Sequence, residues 1–391
     1  MLKKYFSKFV APKNTKSSSY FDLSEITTAL DNKPSASPQS YRNNVIVYRC
    51  VNLIAQSASH VPWTVHIKNG NRLNKLDQHP LHELLIQLNQ TTAGADFFTE
   101  VISSLLLFGN SYILGLGSAI NSFPKSMYVL PSSQTDIIVE NGAMRSYRYR
   151  NAKGEHIYPI NQITSKSNVL HLKNYHSSNQ IYGLSCLEAA SMPIEIHNQA
   201  SRWNYSLLKN GARPSGALVM KDSAGYLSDE QFERLKQQLY DKYTGASNSG
   251  KPLLLEGGLD WREMSISPKD MDFIESKNSA AREIALAFGV PPQLLGINGD
   301  NTYSNMQEAR LGLWEETIIP LMDKIANALT HWLSGYSDEK IIIDFDRDAI
   351  SALTGKRENL WSKISNCNFM TMNEKRSFVG LKPLKGGDEL L

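Results

Sequence analysis

Cysteine is scarce. The chain has three in 391 residues, Cys50, Cys186 and Cys367, far apart and in no paired spacing. That excludes a disulfide framework and a cysteine zinc site, and it fits a reducing compartment. Long apolar runs are missing too. The most apolar stretch, EVISSLLLFGNSYILGLG at 100–117, is broken by Ser, Asn and Gly before reaching the ~20 residues that a membrane span needs. No membrane partner is expected. The first residues, MLKKYFSKFVAPKN, have the positive start of a signal peptide but no apolar core behind it, so secretion is not expected. The closing GGDELL has the wrong last residue for a retention signal and reads as a solvated tail.

Charge of one sign is also lacking. Forty-one basic residues face 38 acidic ones, a formal charge of +3 with no basic block. A protein that grips nucleic acid by neutralising many phosphates concentrates its lysines and arginines, so tight electrostatic binding is not expected. No Walker or Rossmann glycine loop, HExxH, GxSxG elbow or Cys/His metal spacing occurs, and neither a cofactor nor a resident metal is expected. His79 and His82 lie beside Pro80 at a helix start and read as structural. The best catalytic candidate is DFDRD. A regular strand would put Asp344, Asp346 and Asp348 on one face, where they could hold magnesium for phosphodiester chemistry. A metal-dependent phosphoesterase or nuclease is therefore the alternative reading. Arg347 breaks the sign of the cluster and no second acidic cluster matches it, which favours a solvated strand face.

What is present is a folding chain. Hydrophobic residues make up 41% and charged residues 20%, and the length suits two or three domains at ~100–200 residues each. Residues 1–40, rich in Ser, Lys, Asn, Pro and Thr, read as a flexible arm. From Asn43 the pattern turns helical: Val47, Cys50, Val51, Ile54 and Ala58 share one face, followed by an alternating strand, PWTVHIKNG. Helices are predicted at HPLHELLIQLN and at 97–108. Strand-like pieces follow at SYILGLG, KSMYVLP, TDIIVENG, SYRYR and VLHLKN. Residues 43–176 thus form an α+β domain.

Beyond Gly183 the pattern is helical and punctuated by capping boxes. SCLE (Ser185, Glu188) opens a long helix to Lys209, in which Pro193 predicts a kink or a late true start. NGARPSG closes it. SDEQ (Ser228, Gln231) opens a shorter helix, and PLLLEGG and DWREMSI are strand-like, so 212–266 form a small α/β insert. SPKD (Ser267, Asp270) starts a helix that runs to Phe288. Helices of about 20 residues span roughly 30 Å, so this pair would hold the insert away from the body. The loop FGVPPQLLGINGDNTYSN at 288–305 lacks the alternating acidic ligands of a calcium site. After it SNMQ (Ser304, Gln307) opens a helix to about Leu333 with Trp314, Ile318, Leu321, Ile325, Ala328 and Trp332 as its buried stripe, bent at Pro320. A strand at KIIIDFDRDAI and a helical end with the capping box TMNE at Thr371 complete the chain.

The ordered series NGARPSG, LSDEQFERLKQQL, LLLEGGLDWREMSISPKDMDFIESKNSAAREIALAFGVPPQLLG and TYSNMQEARLGLWEETIIPLMDKI resembles the portal proteins of tailed bacteriophages, in particular the long-tailed-phage family. YRCVNLIAQSASHVPWTV, HPLHELL, LLLFGNSYI and MNEKRSFVGLKPLKGGDELL are similar to that family as well, so the likeness covers roughly 40–391. It implies an α+β portal-type fold: a wing at 41–184 with a further strand at 336–349, stem helices at 185–210 and 267–288, a clip at 211–266, a tunnel loop at 289–304, a kinked inner helix at 305–335 and a short helical crown at 350–391. It also implies a non-enzymatic ring of about twelve copies at one capsid vertex, of a phage or, as the alternative within the same fold, of a prophage remnant or gene-transfer particle, in the virion and, during assembly, in the host cytoplasm. Double-stranded DNA would pass through the channel.

The implied protein partners are the terminase large subunit, then head–tail connectors, with the major capsid protein and a scaffold around the ring. Under the resemblance Asn298, Gly299, Asp300, Asn301, Thr302 and Tyr303 face the channel, Arg202, Lys209, Lys277 and Arg282 lie on the stem, and Arg213, Lys221, Arg234 and Lys242 present the clip to the motor and connectors. Mixed-sign stem helices, with Glu195 beside Arg202 and Lys209, and Asp270, Asp272, Glu275 and Glu283 beside Lys269, Lys277 and Arg282, suit a wall past which DNA slides, because each firm phosphate contact must be broken at every step.

Overall fold

The structure, a computed structural model, describes residues 38–69, 72–76, 78–117, 123–209, 216–220, 228–243, 259–263, 273–297, 303–336 and 340–389. The expected arm lies almost wholly outside them. A short helix α1 (Pro38–Asn43) leads into α2 (Val45–Ser59). Asn44 separates the two, because its side chain accepts from the amides of Ile46 and Val47 and so caps α2. The predicted face Val47, Cys50, Val51, Ile54 and Ala58 is buried. Burial pushes the Cys50 thiol up to about 12, an inert core position.

Strand β1 (Trp63–Asn69) follows, then β2 (Arg72–Lys75), α3 (Pro80–Ile86) and α4 (Gly94–Phe108). His79 is the N-cap of α3, its ring nitrogen accepting from Leu81 N, which is the structural role expected of it. Six antiparallel strands come next: β3 (Asn110–Leu116), β4 (Ser126–Leu130), β5 (Thr135–Glu140), β6 (Ala143–Asn151), β7 (Gly154–Pro159) and β8 (Val169–Lys173). They form two three-stranded sheets in the orders β4-β3-β8 and β5-β6-β7. Strands β2 and β7 were not foreseen. Their sequences, RLNK and GEHIYP, are polar, and β7 is exposed along most of its length. Pairing to β6 makes it a strand, with no hydrophobic alternation of its own.

The long helix expected from Ser185 is two helices. Ser185 Oγ accepts from Glu188 N at 3.0 Å, but the helix it caps, α5 (Cys186–Ala189), has four residues. The true start is at Ser191, and α6 (Ser191–Lys209) carries Pro193 in its first turn, where the missing N–H is harmless. The insert contributes β9 (Gly216–Met220), α7 (Asp229–Tyr243) and β10 (Leu259–Glu263), with β9 and β10 antiparallel. Its capping box is fully formed: Gln231 N donates to Ser228 Oγ and Ser228 N donates to Gln231 Oε1. PLLLEGG lies outside the described residues, so the observed partner of β10 is GALVM.

The return helix α8 (Phe273–Ala287) is described from Phe273 onward, and SPKD lies outside the described residues. Next are α9 (Tyr303–Gly312), a π-helical stretch (Leu313–Ile318) and α10 (Ile319–Leu333). Helix α9 starts at Tyr303, so Ser304 is inside its first turn and not ahead of it. Pro320 has no N–H to offer the carbonyl four residues back. The ladder widens instead of simply bending, and Ile319 N bonds to Trp314 O. The added residue rotates the buried stripe. Ile318, Met322, Ile325, Ala326, Leu329 and Leu333 are buried, whereas Trp314, Leu321, Ala328 and Trp332 pack half-covered at its edge.

Strand β11 (Ile341–Phe345) then pairs with β1, joining Trp63 to Phe345 and Ile67 to Ile341. Helices α11 (Thr354–Ser365) and α12 (Met372–Phe378) end the chain, and the Thr371–Glu374 capping box is reciprocal, as expected. One apolar core gathers α2, α4, α8, α10, β1 and β11, and a smaller one lies between the sheets around Tyr112, Tyr147 and Tyr182.

Candidate functional site

The feature that organises the molecule is the pair α6 and α8, which enter and leave the insert. They pack on each other, and Ala200 of α6 and Ala280 and Ala281 of α8 are buried. Small residues let helix axes approach closely. Ile194 and His197 near the start of α6 are buried, as are Ile284 and Phe288 at the end of α8. The opposite ends, at Tyr205 and Ile274, are 68% and 76% exposed. Both helices are therefore rooted in the body at one end and solvated toward the insert.

Their root is built from polar contacts. Asn44 Nδ2 donates to His197 Nδ1 at 3.2 Å and to Asn198 Oδ1 at 3.0 Å. One asparagine therefore caps α2 and fixes α6. Burial, with the Lys277 charge as a second cause, pushes the His197 pKa down, so the ring stays neutral and can accept that bond. The backbones of Gly109 and Gly183 approach so closely that a Cβ on either would strike the other's carbonyl. Asn110 Oδ1 links Gly183 to His171, accepting from Gly183 N at 2.8 Å and from His171 Nε2 at 3.0 Å. His171 stacks on Tyr112 at 4.6 Å. Burial, helped by Lys173 and Lys324, lowers its pKa to about 3.

At this rooted end of α8 the chain turns on a Schellman motif. Val290 N bonds to Ala285 O and Gly289 N to Leu286 O, with Gly289 at φ +67°. Thr317 Oγ1 donates to Gly289 O at 2.6 Å. The loop's start is thereby tied to the π-helical stretch. Neither Asn44 nor Thr317 was singled out from sequence. The Gly-Val-Pro-Pro run was a legible stop signal, but its partner 28 residues on was not.

The expected functional residues fall in three places. Arg202 and Lys209 are exposed on α6, while Lys277 and Arg282 are half-buried on α8, with Arg282 Nη1 3.6 Å from Glu275 Oε1. Arg234 is exposed on α7 and Lys242 is on the same helix, but Arg213 and Lys221 lie outside the described residues. Of the loop, Asn298, Gly299, Asp300, Asn301 and Thr302 also lie outside them, and Tyr303 is the first residue of α9.

The aspartates do not form the expected row. The strand ends at Phe345, and Asp346 starts a 3-10 turn by accepting from Asp348 N at 2.9 Å. Asp348 Oδ1 accepts from Arg357 Nη1 at 2.9 Å, and Asp344 Oδ1 from Phe345 N. Among the described residues no group of three or more His, Cys, Asp or Glu is placed to hold a metal ion. No described helix is long and apolar enough to cross a membrane.

The phage portal protein family matches residues 45–380, most of the chain. The chain belongs to that family. The portal protein of Escherichia phage T5 is 26% identical over 93% of this chain and 86% of its own length. A protein of Rickettsia felis is 62% identical over the whole of both chains. Among solved structures, a chain in the neck of a native gene transfer agent particle, computed with C12 symmetry, is 36% identical, with a TM-score of 0.69 over 90% of this chain and 94% of that one. The α+β portal fold expected from the sequence is thus the observed one, and the chain is a structural capsid component rather than an enzyme.

Proposed function

We propose that about twelve copies of this chain close into a ring at one vertex of a capsid and that double-stranded DNA enters and leaves through its centre. The observation that carries the reading is the likeness, at 36% identity and nearly full coverage, to a chain in a particle neck computed with C12 symmetry. A head-to-tail interface whose rotation closes produces such a ring. The same likeness favours a particle of the gene-transfer kind, since the likeness to the portal protein of Escherichia phage T5 is weaker, at 26%.

In this reading α6 and α8 are the stem. Their charges are of both signs, Glu195 with Arg202 and Lys209, and Glu275 with Arg282, which suits a wall that lets phosphates pass. The insert is the clip, which offers Arg213, Lys221, Arg234 and Lys242 first to the terminase large subunit and then to head–tail connectors. Residues 298–303 are the tunnel loop and face the axis. The body is the wing, set in the capsid among copies of the major capsid protein, and the helical end is the crown. Assembly takes place in the host cytoplasm.

Native mass spectrometry and electron microscopy of the purified chain test this directly. A closed ring of about twelve is expected. A chain that remains a stable monomer under all conditions refutes it.

A further inference from the structure

A groove runs across the body between elements that are far apart in the chain. Arg49, Leu53 and Ser57 of α2 form one wall, at the four-residue spacing that aligns side chains along a helix face. Helix α9 and the π-helical stretch after it form the second, and the turn at Ser351 and Ala352 ahead of α11 forms a third side. The groove holds about 710 Å³, within the ~300–1,000 Å³ of clefts that take ligands. Leu53, Leu294, Met306, Leu311 and Trp314 all line it, and each is only half-buried.

Charge lines it too. Arg49, Arg310 and Lys356 stand against one carboxylate, Glu308. Lys356 is taken up by Glu315, whereas the side chains of Arg49 and Arg310 have no ion-pair or hydrogen-bond partner among the described residues. An apolar occupant with acidic groups therefore complements this groove better than a basic one.

The chain supplies such a segment close by. Residues 1–19 hold five lysines and no acid. YFDLSEITTALD, at 20–31, is the reverse. It carries Asp22, Glu25 and Asp31 and no cation, and Leu23, Ile26 and Leu30 fall at the i, i+3, i+7 spacing of one helical face. The way to the groove is short. Helix α1 packs on α2, with the Tyr41 and Tyr48 rings 5.2 Å apart and Asn52 Nδ2 donating to Tyr41 Oη at 2.9 Å. Tyr48 and Asn52 are the chain neighbours of Arg49 and Leu53. Residues 32–37 can span up to ~20 Å at ~3.3 Å each, against a helix diameter of ~10 Å.

We propose that residues 20–31 dock in this groove of their own copy, with Leu23, Ile26 and Leu30 on its apolar floor and the carboxylates toward Arg49 and Arg310. A segment on so short a tether meets the groove at an effective concentration of about 1 mM, which favours it over a neighbouring copy. Nucleic acid suits the groove less well, since two unpaired guanidinium groups beside Glu308, over an apolar floor, make no phosphate track. Docking of this kind needs no ring.

Hydroxyl-radical footprinting of the full chain, read by mass spectrometry at Met306 and Trp314, provides the test. Leu23→Ser with Ile26→Ser is expected to raise labelling at both about fivefold over wild type, as water returns to a covered apolar surface. Phe6→Ser with Phe9→Ser, in the basic stretch, is expected to leave it unchanged. A photoreactive phenylalanine analogue in place of Ile26 is expected to cross-link within one chain to residues 49–57 or 306–314. Unchanged labelling in the first variant overturns the proposal, and so does an equal rise in the second. Cross-links found only between chains give the groove to a neighbouring copy's arm and overturn it as well, as does protection that appears only with added DNA or other particle proteins. Both readouts apply to monomer and ring alike, so loss of the ring leaves the docking intact and loss of the docking leaves the ring reading standing.

Discussion

Thr317 Oγ1 donates a 2.6 Å hydrogen bond to the carbonyl of Gly289, which joins the end of one rooted helix to the π-helical stretch of another. Gly289 is in the left-handed region, and a Cβ there would lie 2.6 Å from that same oxygen. Gly296, at φ +73°, has open space around it. Gly289→Ala is therefore expected to cost about 2–4 kcal/mol, from strain and clash together, and Gly296→Ala about 1 kcal/mol from strain alone. Thr317→Val removes only the bond, at about 1 kcal/mol. Denaturant unfolding of the three variants checks the order, and equal losses at the two glycines would contradict it.

Asn44 serves two helices at once, so its variants separate the two jobs. Asn44→Ala is expected to lose about 2–3 kcal/mol, the sum of an N-cap and a buried hydrogen bond. Asn44→Asp retains the cap oxygen but loses the donor to His197 and Asn198. At neutral pH it should remain well below wild type, and it should recover part of the loss on mild acidification, as a protonated His197 becomes a donor to the carboxylate. Urea midpoints at two pH values give the measurement.

His171, on β8, sets a pH limit on the stability of the body. Its folded pKa, about 3, lies below the unfolded value of ~6.5. The unfolded chain therefore binds the extra proton first. Stability is fully present above ~6.5 and falls as pH drops toward the folded value. The His197 shift has the same direction and adds to the loss. Unfolding free energy measured between pH ~7 and ~4 is expected to slope downward, and His171→Gln, which cannot titrate there, should flatten the slope. An unchanged slope in that variant would assign the acid sensitivity to other groups.

If the loop 298–303 faces the channel axis, it is dispensable for closure and not for transport. A chain lacking residues 298–302 is expected to assemble rings at wild-type yield and to give particles with less packaged DNA, assayed by nuclease protection. Normal DNA content in such particles would refute the tunnel role. Failed ring closure would instead place the loop in the subunit interface.

Much of the fold was legible because its signals are local. The face of α2, the Thr371 and Ser228 capping boxes and the alternating strands each arise from residues within one or two turns of each other. The elements that escaped are those that a partner creates. Strands β2 and β7 exist through pairing to β1 and β6, and the buried stripe keeps Ile318 and Ile325 of the expected period but takes Met322, Leu329 and Leu333 in place of Leu321, Ala328 and Trp332. The aspartate row depended on a strand running past Phe345. The chain turns there, because Asp346 caps a 3-10 turn where a further strand residue was expected.

By itself the sequence determined most of the helices and strands, the capping boxes at Ser228 and Thr371, and, through the order of its motifs, the family. Periodicity and capping are short-range, and they survive in one dimension. Only the tertiary structure decided what roots α6 and what ties Gly183 to β3, since the bonds of Asn44 to His197 and of Asn110 to Gly183 join residues far apart in the chain. It also decided that, within residues 354–389, Asn373 is buried while Phe369 and Phe378 are exposed. Composition cannot reveal that inversion, because a phenylalanine reads as core until a fold shows which way it faces.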